Sequence, residues 1–147
     1  MLAAALLTGC APAPADPPKP DPAAEAWYGQ TVEQLAASTR EAESLLRRGK
    51  SDQAAAIITK GQPLMSRLLS APRPTLAAME AVSDLDDLYG RMLLANRHYG
   101  WARLLFQKNS ARWKNWTPQT PETLRRRKLA DAATAECDAR LSREGSR

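Results

Sequence analysis

The chain has 147 residues, with 21 Lys and Arg against 16 Asp and Glu, which gives a formal net charge of +5. This length is typical of a single domain. Ala and Leu, which favour helices, number 27 and 19, whereas Val and Ile, which favour strands, number two each. The composition excludes a β-sandwich or a parallel-sheet enzyme and predicts an all-α protein.

The first ten residues form an apolar stretch that ends in small residues and a cysteine. Its end, Leu7-Thr8-Gly9-Cys10, resembles the lipobox of bacterial lipoproteins. The resemblance implies that Cys10 is a lipid attachment site and that residues 1–9 are removed. None of these nine residues is basic, although a secretory signal opens with a basic region. We therefore interpret residues 1–9 as a signal-peptide remnant with a misplaced start. The alternative is a cytosolic protein with an unmodified Cys10.

The next segment is rich in proline and alanine. Residues 11–22 contain six of the 11 prolines, a composition typical of an extended tether. We expect residues 10–26 to link the lipidated cysteine to a helical domain over residues 27–145. Because no apolar run reaches the roughly 18 residues of a membrane-spanning helix, the lipid alone would attach the protein. By analogy with bacterial lipoproteins, Ala11 in place of Asp predicts the outer membrane, with the domain facing the periplasm.

Two helices are predicted in the first half of the domain. The motif Thr31-Val32-Glu33-Gln34 fits a capping box, which predicts a helix from there to about Arg48. The alternatives for Trp27 and Tyr28 are that they extend this helix backward or that they pack against its start. Gly49 suits the left-handed position after a helix end. A second helix is expected from about Ser51 to Ser70, with a break or kink at Gly61-Gln62-Pro63.

Three further helices are predicted after the stop at residues 71–74. The third covers about Thr75 to Asn96, and the fourth carries Trp101, Leu104 and Leu105 as its apolar side chains and ends near Trp113. The fifth begins with Thr120 as its N-cap and a proline in its first turn. We therefore expect about five helices in antiparallel hairpins, since short loops favour antiparallel neighbours.

Two of the predicted hairpins are alike at an offset of 48 residues. Leu45, Leu46 and Ala54 of the first correspond to Leu93, Leu94 and Ala102 of the second. In the second hairpin, the set Gly90, Tyr99, Ala102 and Phe106 resembles the tetratricopeptide repeat, whose period is about 34 residues. The resemblance implies a stack of helical hairpins. The alternative is a plain helical bundle.

Few residues indicate chemistry, and we expect no catalytic residue, no metal site and no cofactor. His98 is the only histidine and is expected to face solvent or to cap a helix. The acidic side chains Glu80, Asp84, Asp86 and Asp87 lie on a predicted helix without the loop of a calcium site, so we expect a solvated face paired with arginines. Cys137 is expected to face the core, with an intermolecular disulfide as the alternative.

The strongest feature of the sequence is its basic segment, residues 97–128. It contains nine Lys and Arg and a single acidic residue, Glu122. Aromatic side chains are interleaved: Tyr99, Trp101, Phe106, Trp113 and Trp116. Such a pattern is able to contact nucleic acid, a peptide or an anionic lipid. The alternative is that Trp101, Phe106 and Trp113 belong to the core and that the cations are a solvated face.

Together these features predict a lipid-anchored, non-catalytic envelope protein that acts as a protein-binding or scaffolding module. The predicted contact residues are Arg112, Trp113, Lys114 and Trp116. The expected partners are a membrane, reached through the N-terminal lipid, and an envelope protein. A location outside the cytoplasm disfavours nucleic acid, and no small-molecule substrate is indicated. The alternative is a small basic helical protein that binds polyanions: nucleic acid, anionic lipid or cell-wall polymer.

Overall fold

The computed structural model describes residues 20–146 and confirms the all-α fold. Within this part of the chain there are five α-helices and no strand. The helices are α1 (Ala26–Arg47), α2 (Ser51–Leu69), α3 (Leu76–Ala95), α4 (Tyr99–Asn115) and α5 (Pro121–Gly145). A single 3-10 turn, Pro22–Ala24, precedes α1 within the predicted linker. No helix of this part is both long enough and apolar enough to cross a membrane.

The start of α1 predicted at the capping box is wrong, and the alternative in which Trp27 and Tyr28 extend the helix backward is the one that the structure supports. The helix begins at Ala26, so Thr31 lies inside it, and the Thr31 hydroxyl donates to the carbonyl of Trp27 at 2.7 Å. The capping box is therefore not formed at Thr31. The earlier start is stabilised by tertiary packing, because Tyr28 is buried and its hydroxyl donates to the carbonyl of Leu68 at the end of α2.

The predicted break in α2 is also wrong, since the helix continues through Pro63. Gly61 is buried where α2 meets α3, and a Cβ built there would lie 2.7 Å from a methyl carbon of Leu85. Pro63 itself is exposed on the opposite side. Burial of the flanking apolar residues therefore outweighs the hydrogen bond that a proline removes from a helix interior.

Two predicted helix starts and one predicted helix end are confirmed. The side chain of Thr75 accepts a hydrogen bond from the Ala78 amide at the start of α3. Thr120 and Thr123 exchange hydrogen bonds between side chain and backbone at the start of α5. Gly49 has a φ of +73° after α1, in the left-handed region where glycine carries no Cβ penalty.

The two hairpin turns share one geometry 48 residues apart. In the first turn the Lys50 amide donates to the Leu45 carbonyl at 2.9 Å, and in the second the His98 amide donates to the Leu93 carbonyl at 2.8 Å. Arg97, with a φ of +65°, occupies the place that Gly49 has in the first turn. A positive φ at a residue with a Cβ is uncommon, so the second turn keeps the geometry without the residue that suits it best.

The core is divided between two groups of helices. α1 and α2 form a hairpin, and α3 packs against both. The largest fully buried aliphatic side chains of this first group are Leu35, Ile58, Leu68, Val82 and Leu85. α4 packs between α3 and α5, where a second cluster holds Ala102, Phe106, Ala133 and Cys137. One face of α4 is therefore left for solvent.

Candidate partner-binding surface

A buried carboxylate joins α3 to α4. Asp86 is 1% exposed, and its Oδ2 lies 3.0 Å from Arg112 Nη2 and 3.2 Å from Lys108 Nζ. Only 5% of the Arg112 side chain is exposed, and its guanidinium also donates to Asn109 Oδ1. Because separating a buried charge from its partner is costly, this network fixes the rotation of α4 on α3.

Trp113 also joins α4 to α3, and it contacts α5 as well. Its Nε1 donates to Ser83 Oγ at 2.9 Å, while Asn109 Nδ2 donates to the Ser83 carbonyl at 3.0 Å. The Arg126 guanidinium of α5 lies over the Trp113 ring, with its Cζ 5.4 Å from the ring centroid. The indole is fully buried and its one polar atom is satisfied, as buried tryptophans require.

The four predicted contact residues therefore do not share one surface. Trp113 and Arg112 face the interior, so neither reaches a partner while the helices stay packed. The alternative that Trp101, Phe106 and Trp113 belong to the core is confirmed for Phe106 and Trp113 and is wrong for Trp101, which is exposed. Lys114 is exposed, and Trp116, the residue just after α4, is half-buried. The backbone carbonyl of Trp116 accepts a hydrogen bond from Gln119 Nε2. Only these two remain as candidate contacts of the predicted set.

A different set of α4 side chains forms an exposed apolar stripe. Trp101 is 68% exposed and Leu104 is 53% exposed. With Leu105 and Lys108 they are spaced at three and four residues, which places them on one side of a helix. Next to Tyr89 and Leu93 of α3, these four residues line an apolar hollow of about 220 Å³.

The hollow continues between α4 and α2. A second depression of about 250 Å³ is lined from α2 by Ala55, Ile58, Thr59 and Gln62, and from α3 by Asp86, Tyr89 and Met92. The two hollows share Tyr89, Leu105 and Lys108. We call the two together the α4 groove. It is open to solvent, and Lys108, which lines both hollows, connects it to the Asp86 network.

Comparison with protein families, with curated proteins and with solved structures finds no match for this chain. What the chain does is therefore argued from its own surface. Scattered apolar side chains are normal on a protein surface, but a contiguous exposed apolar patch is a feature of interaction sites. The first hollow, with Trp101 and Leu104 beside it, is such a patch, and concave apolar grooves are the form in which proteins receive the side chains of a peptide or helix.

The acidic residues of α3 are paired with cations, as expected. Asp87 accepts from Arg91 at 2.7 Å, and Asp84 accepts from Arg126 at 2.6 Å. The expectation of a solvated face is wrong for Asp86, which is the buried member of the group. Among residues 20–146 no group of three His, Cys, Asp or Glu side chains is placed to hold a metal ion.

The remaining candidate residues have separate positions. His98 is exposed just before α4, and no side-chain hydrogen bond caps the helix there. Cys137 is buried beside Phe106, and burial raises the pKa of its thiol. An intermolecular disulfide at Cys137 would need α5 to move. Cys10 lies outside the described residues.

Most charges of the basic segment are paired within the chain. Arg103 pairs with Asp138, Arg125 with Glu122, and Arg127 with Asp131. Hydrogen bonds from Arg125, opposed by partial desolvation and helped by Arg126, lower the pKa of Glu122 to about 2. Burial alone would lower the pKa of Arg126, but its bond to Asp84 and the nearby carboxylates raise it overall. The segment is therefore less basic as a surface than its composition predicts.

The sequence carries a signal for the groove in the pattern of apolar residues along α4. α4 carries two helical stripes, one through Trp101, Leu104 and Leu105, the other through Ala102, Phe106, Asn109 and Trp113. The first contains more aliphatic side chains, a composition that favours the core, but its Trp101 and Leu104 are exposed. The second is the buried one because Gly90 of α3 packs directly on the Phe106 ring. One stripe of α4 therefore faces the core, and Trp101 and Leu104 of the other face solvent.

Proposed function

We propose that this chain is a lipid-anchored envelope protein, non-catalytic, that binds a partner protein through the α4 groove. The single observation that carries the binding role is the exposure of Trp101 and Leu104 over an apolar hollow. Tryptophan is among the residues most enriched at the energetic centre of interfaces. A partner segment that places an apolar side chain between α4 and α3 would bury this stripe.

The sequence alone supports the proposed lipid attachment and envelope location, which we call the membrane address. Leu7-Thr8-Gly9-Cys10 resembles a lipobox, and the proline-rich residues that follow suit a tether. In sequence, the hairpin with Gly90, Tyr99, Ala102 and Phe106 resembles the tetratricopeptide repeat, and lipoproteins of that type hold partner proteins at the outer membrane. In this arrangement the domain faces the periplasm and the tether sets how far from the membrane the α4 groove reaches.

Intact-mass spectrometry of the mature protein from its own host tests the address. The proposal predicts an N-terminal Cys10 that carries a diacylglyceryl group, with residues 1–9 absent. A Cys10→Ala variant would then be recovered without the lipid mass and released from the membrane fraction. A mature chain that retains residues 1–9 and a free Cys10 thiol would contradict the address.

Affinity isolation after chemical crosslinking tests the surface. We expect a Trp101→Ser, Leu104→Ser double variant to lose the crosslinked partner that the parent chain retains. The matched variant is Lys114→Ala, Trp116→Ala, which removes the two exposed members of the contact set predicted from sequence. Loss of the partner only in the Lys114→Ala, Trp116→Ala variant would show that the interface lies at the end of α4, and it would contradict the proposal.

Polyanion binding by residues 97–128 is the alternative, and the ion pairs disfavour it. The cations of Arg103, Arg112 and Arg126 are held by carboxylates of α3 and α5 within the same chain. An anion would have to displace these carboxylates, one of which is buried. Binding of that kind weakens steeply with salt, so a partner retained at high salt in the crosslinking experiment argues against it.

A further inference from the structure

An open cleft of about 700 Å³ lies between the α3–α4 turn and the end of α5. It is separate from the α4 groove, and its charged lining consists of four arginines and two glutamates: Arg91, Arg97, Arg140, Arg143, Glu136 and Glu144. Three chain segments supply the arginines, so the fold gathers them rather than a run of sequence. The lining has an excess of positive charge, which favours an anion.

The glutamates hold Arg97 and Arg140 only weakly, whereas Arg91 is paired with Asp87 at 2.7 Å. Arg97 lies 3.5 Å from Glu144, and Arg140 lies 3.4 Å from Glu136, each through one pair of atoms between substantially exposed side chains. Within residues 20–146, Arg143 takes part in no ion pair. Exposed single-contact pairs contribute little to stability, so a phosphate group that contacts two arginines at once can replace the glutamates.

The backbone of Arg97, one of the cleft arginines, has an unfavourable conformation. Its φ of +65° is in the left-handed region, and the matching position of the first hairpin is Gly49. An L-residue with a Cβ is disfavoured there, and such outliers cluster at functional sites. The α3–α4 turn thus carries a guanidinium where glycine would fit the backbone better.

We propose that this cleft binds a phosphate-bearing anion. The guanidinium fork matches phosphate oxygens bidentately, and several arginines are needed to offset a dianion. The cleft exceeds the size of a phosphate, and Leu94, Ala95 and Tyr99 complete its lining, so the organic remainder of the ligand has an apolar wall to lie on. The phosphate belongs either to a soluble phosphate ester or to a lipid headgroup. This site requires neither the lipid on Cys10 nor the α4 groove.

The test uses the full chain with Cys10→Ala, so that no attached lipid contributes to binding. Two probes distinguish the sources: inorganic pyrophosphate by titration calorimetry, and vesicles of phosphatidylglycerol compared with phosphatidylcholine by co-sedimentation. Arg140→Ala, Arg143→Ala removes two cleft charges from α5. The matched control, Arg125→Ala, Lys128→Ala, removes two charges from the same helix outside the cleft.

The proposal predicts at least a tenfold loss of affinity in the cleft variant and less than a twofold loss in the control. Binding of pyrophosphate identifies a soluble phosphate ligand, and selective binding of phosphatidylglycerol vesicles alone identifies a headgroup. Arg97→Gly relieves the backbone and removes the guanidinium, so it should fold at least as stably as the parent yet bind more weakly. Equal losses in the cleft and control variants, or no binding of either probe by the parent, would overturn the proposal.

Discussion

Gly90 sets how closely α3 can approach Phe106 of α4. A Cβ built on Gly90 would lie 2.7 Å from Phe106 Cε1 and 2.8 Å from Cζ, distances that real Cβ atoms essentially never show. The ring is fully buried and has no room to retreat. We expect Gly90→Ala to lower the free energy of unfolding by about 1–3 kcal/mol, the usual cost of overpacking, as measured by urea denaturation.

Gly29 provides the matched control. It also lies inside a helix, but a Cβ there would meet no atom within 4 Å. Gly29→Ala should therefore raise the free energy of unfolding by about 0.5–1 kcal/mol, because alanine loses less backbone entropy. If Gly90→Ala raises the free energy of unfolding as much as Gly29→Ala does, the close packing of Gly90 on Phe106 would be contradicted.

Asp86 and Asp87 are neighbours in sequence with opposite environments. Asp86→Asn leaves the buried Arg112 guanidinium without its carboxylate, and removal of one partner of a buried pair typically costs about 3–5 kcal/mol. Asp87→Asn removes only an exposed pair with Arg91, which is worth about 0–1 kcal/mol. Chemical denaturation of the two variants should separate them, and similar losses in both would contradict the buried network.

Glu122 makes part of the stability depend on acid pH. Its pKa is about 2 in the folded chain against an ordinary 4.5. A lowered folded-state pKa contributes stability that is present above the ordinary value and lost as the pH falls through about 2. Glu122→Gln should therefore lose less thermal stability than the parent between these two pH values.

An NMR titration of the Glu122 carboxyl measures the same effect directly. Arg125→Ala removes the largest cause of the lowered pKa, so the titration midpoint should move back toward the ordinary value. A Glu122 midpoint near 4.5 in the parent chain would show that the bonds to Arg125 and Arg126 do not persist in solution.

At the scale of the helices, α4 has one buried face and one exposed face. The face with Phe106 and Trp113 is buried, and the face with Trp101 and Leu104 is exposed. We expect Trp101→Ser, Leu104→Ser to change the free energy of unfolding by no more than about 1 kcal/mol, since exposed positions contribute little to packing. Phe106→Ala should cost about 3–5 kcal/mol.

Denaturation midpoints of these two variants check the assignment of the faces. A double variant that unfolds as readily as Phe106→Ala would show that the Trp101 stripe belongs to the core. A double variant with the parent's stability that no longer retains the crosslinked partner would agree with a surface kept apolar for binding rather than for folding.

The helices could be predicted from the sequence where local chemistry sets them. Thr75, Thr120 and Gly49 specify helix ends by their own side chain or backbone preference. The start of α1 and the continuity of α2 depend on Tyr28 and Gly61, whose contacts are with helices far away in sequence. Local patterns carry no information on such contacts, and the same is true of which α4 stripe faces inward.

At the scale of the whole molecule, composition overstates the charge of the basic segment and does not show the arginine-lined cleft at all. The basic segment is largely neutralised by carboxylates of α3 and α5, as Arg112 and Arg126 illustrate. The arginine-lined cleft instead joins Arg91 and Arg97 to the end of α5, which lies more than 40 residues later in the sequence. Only the antiparallel return of α5 along α4 brings these charges together.

The most direct test of the central claim is photocrosslinking in the native cell envelope. A photoreactive amino acid at Leu104 samples the α4 groove, and one at Ala132 samples an exposed face of α5 as a control. We predict that position 104 yields a discrete crosslink to one envelope protein, lost when Trp101 is changed to Ser, and that position 132 does not. An equal pattern from both positions, or none from position 104, would contradict a partner-binding groove on α4.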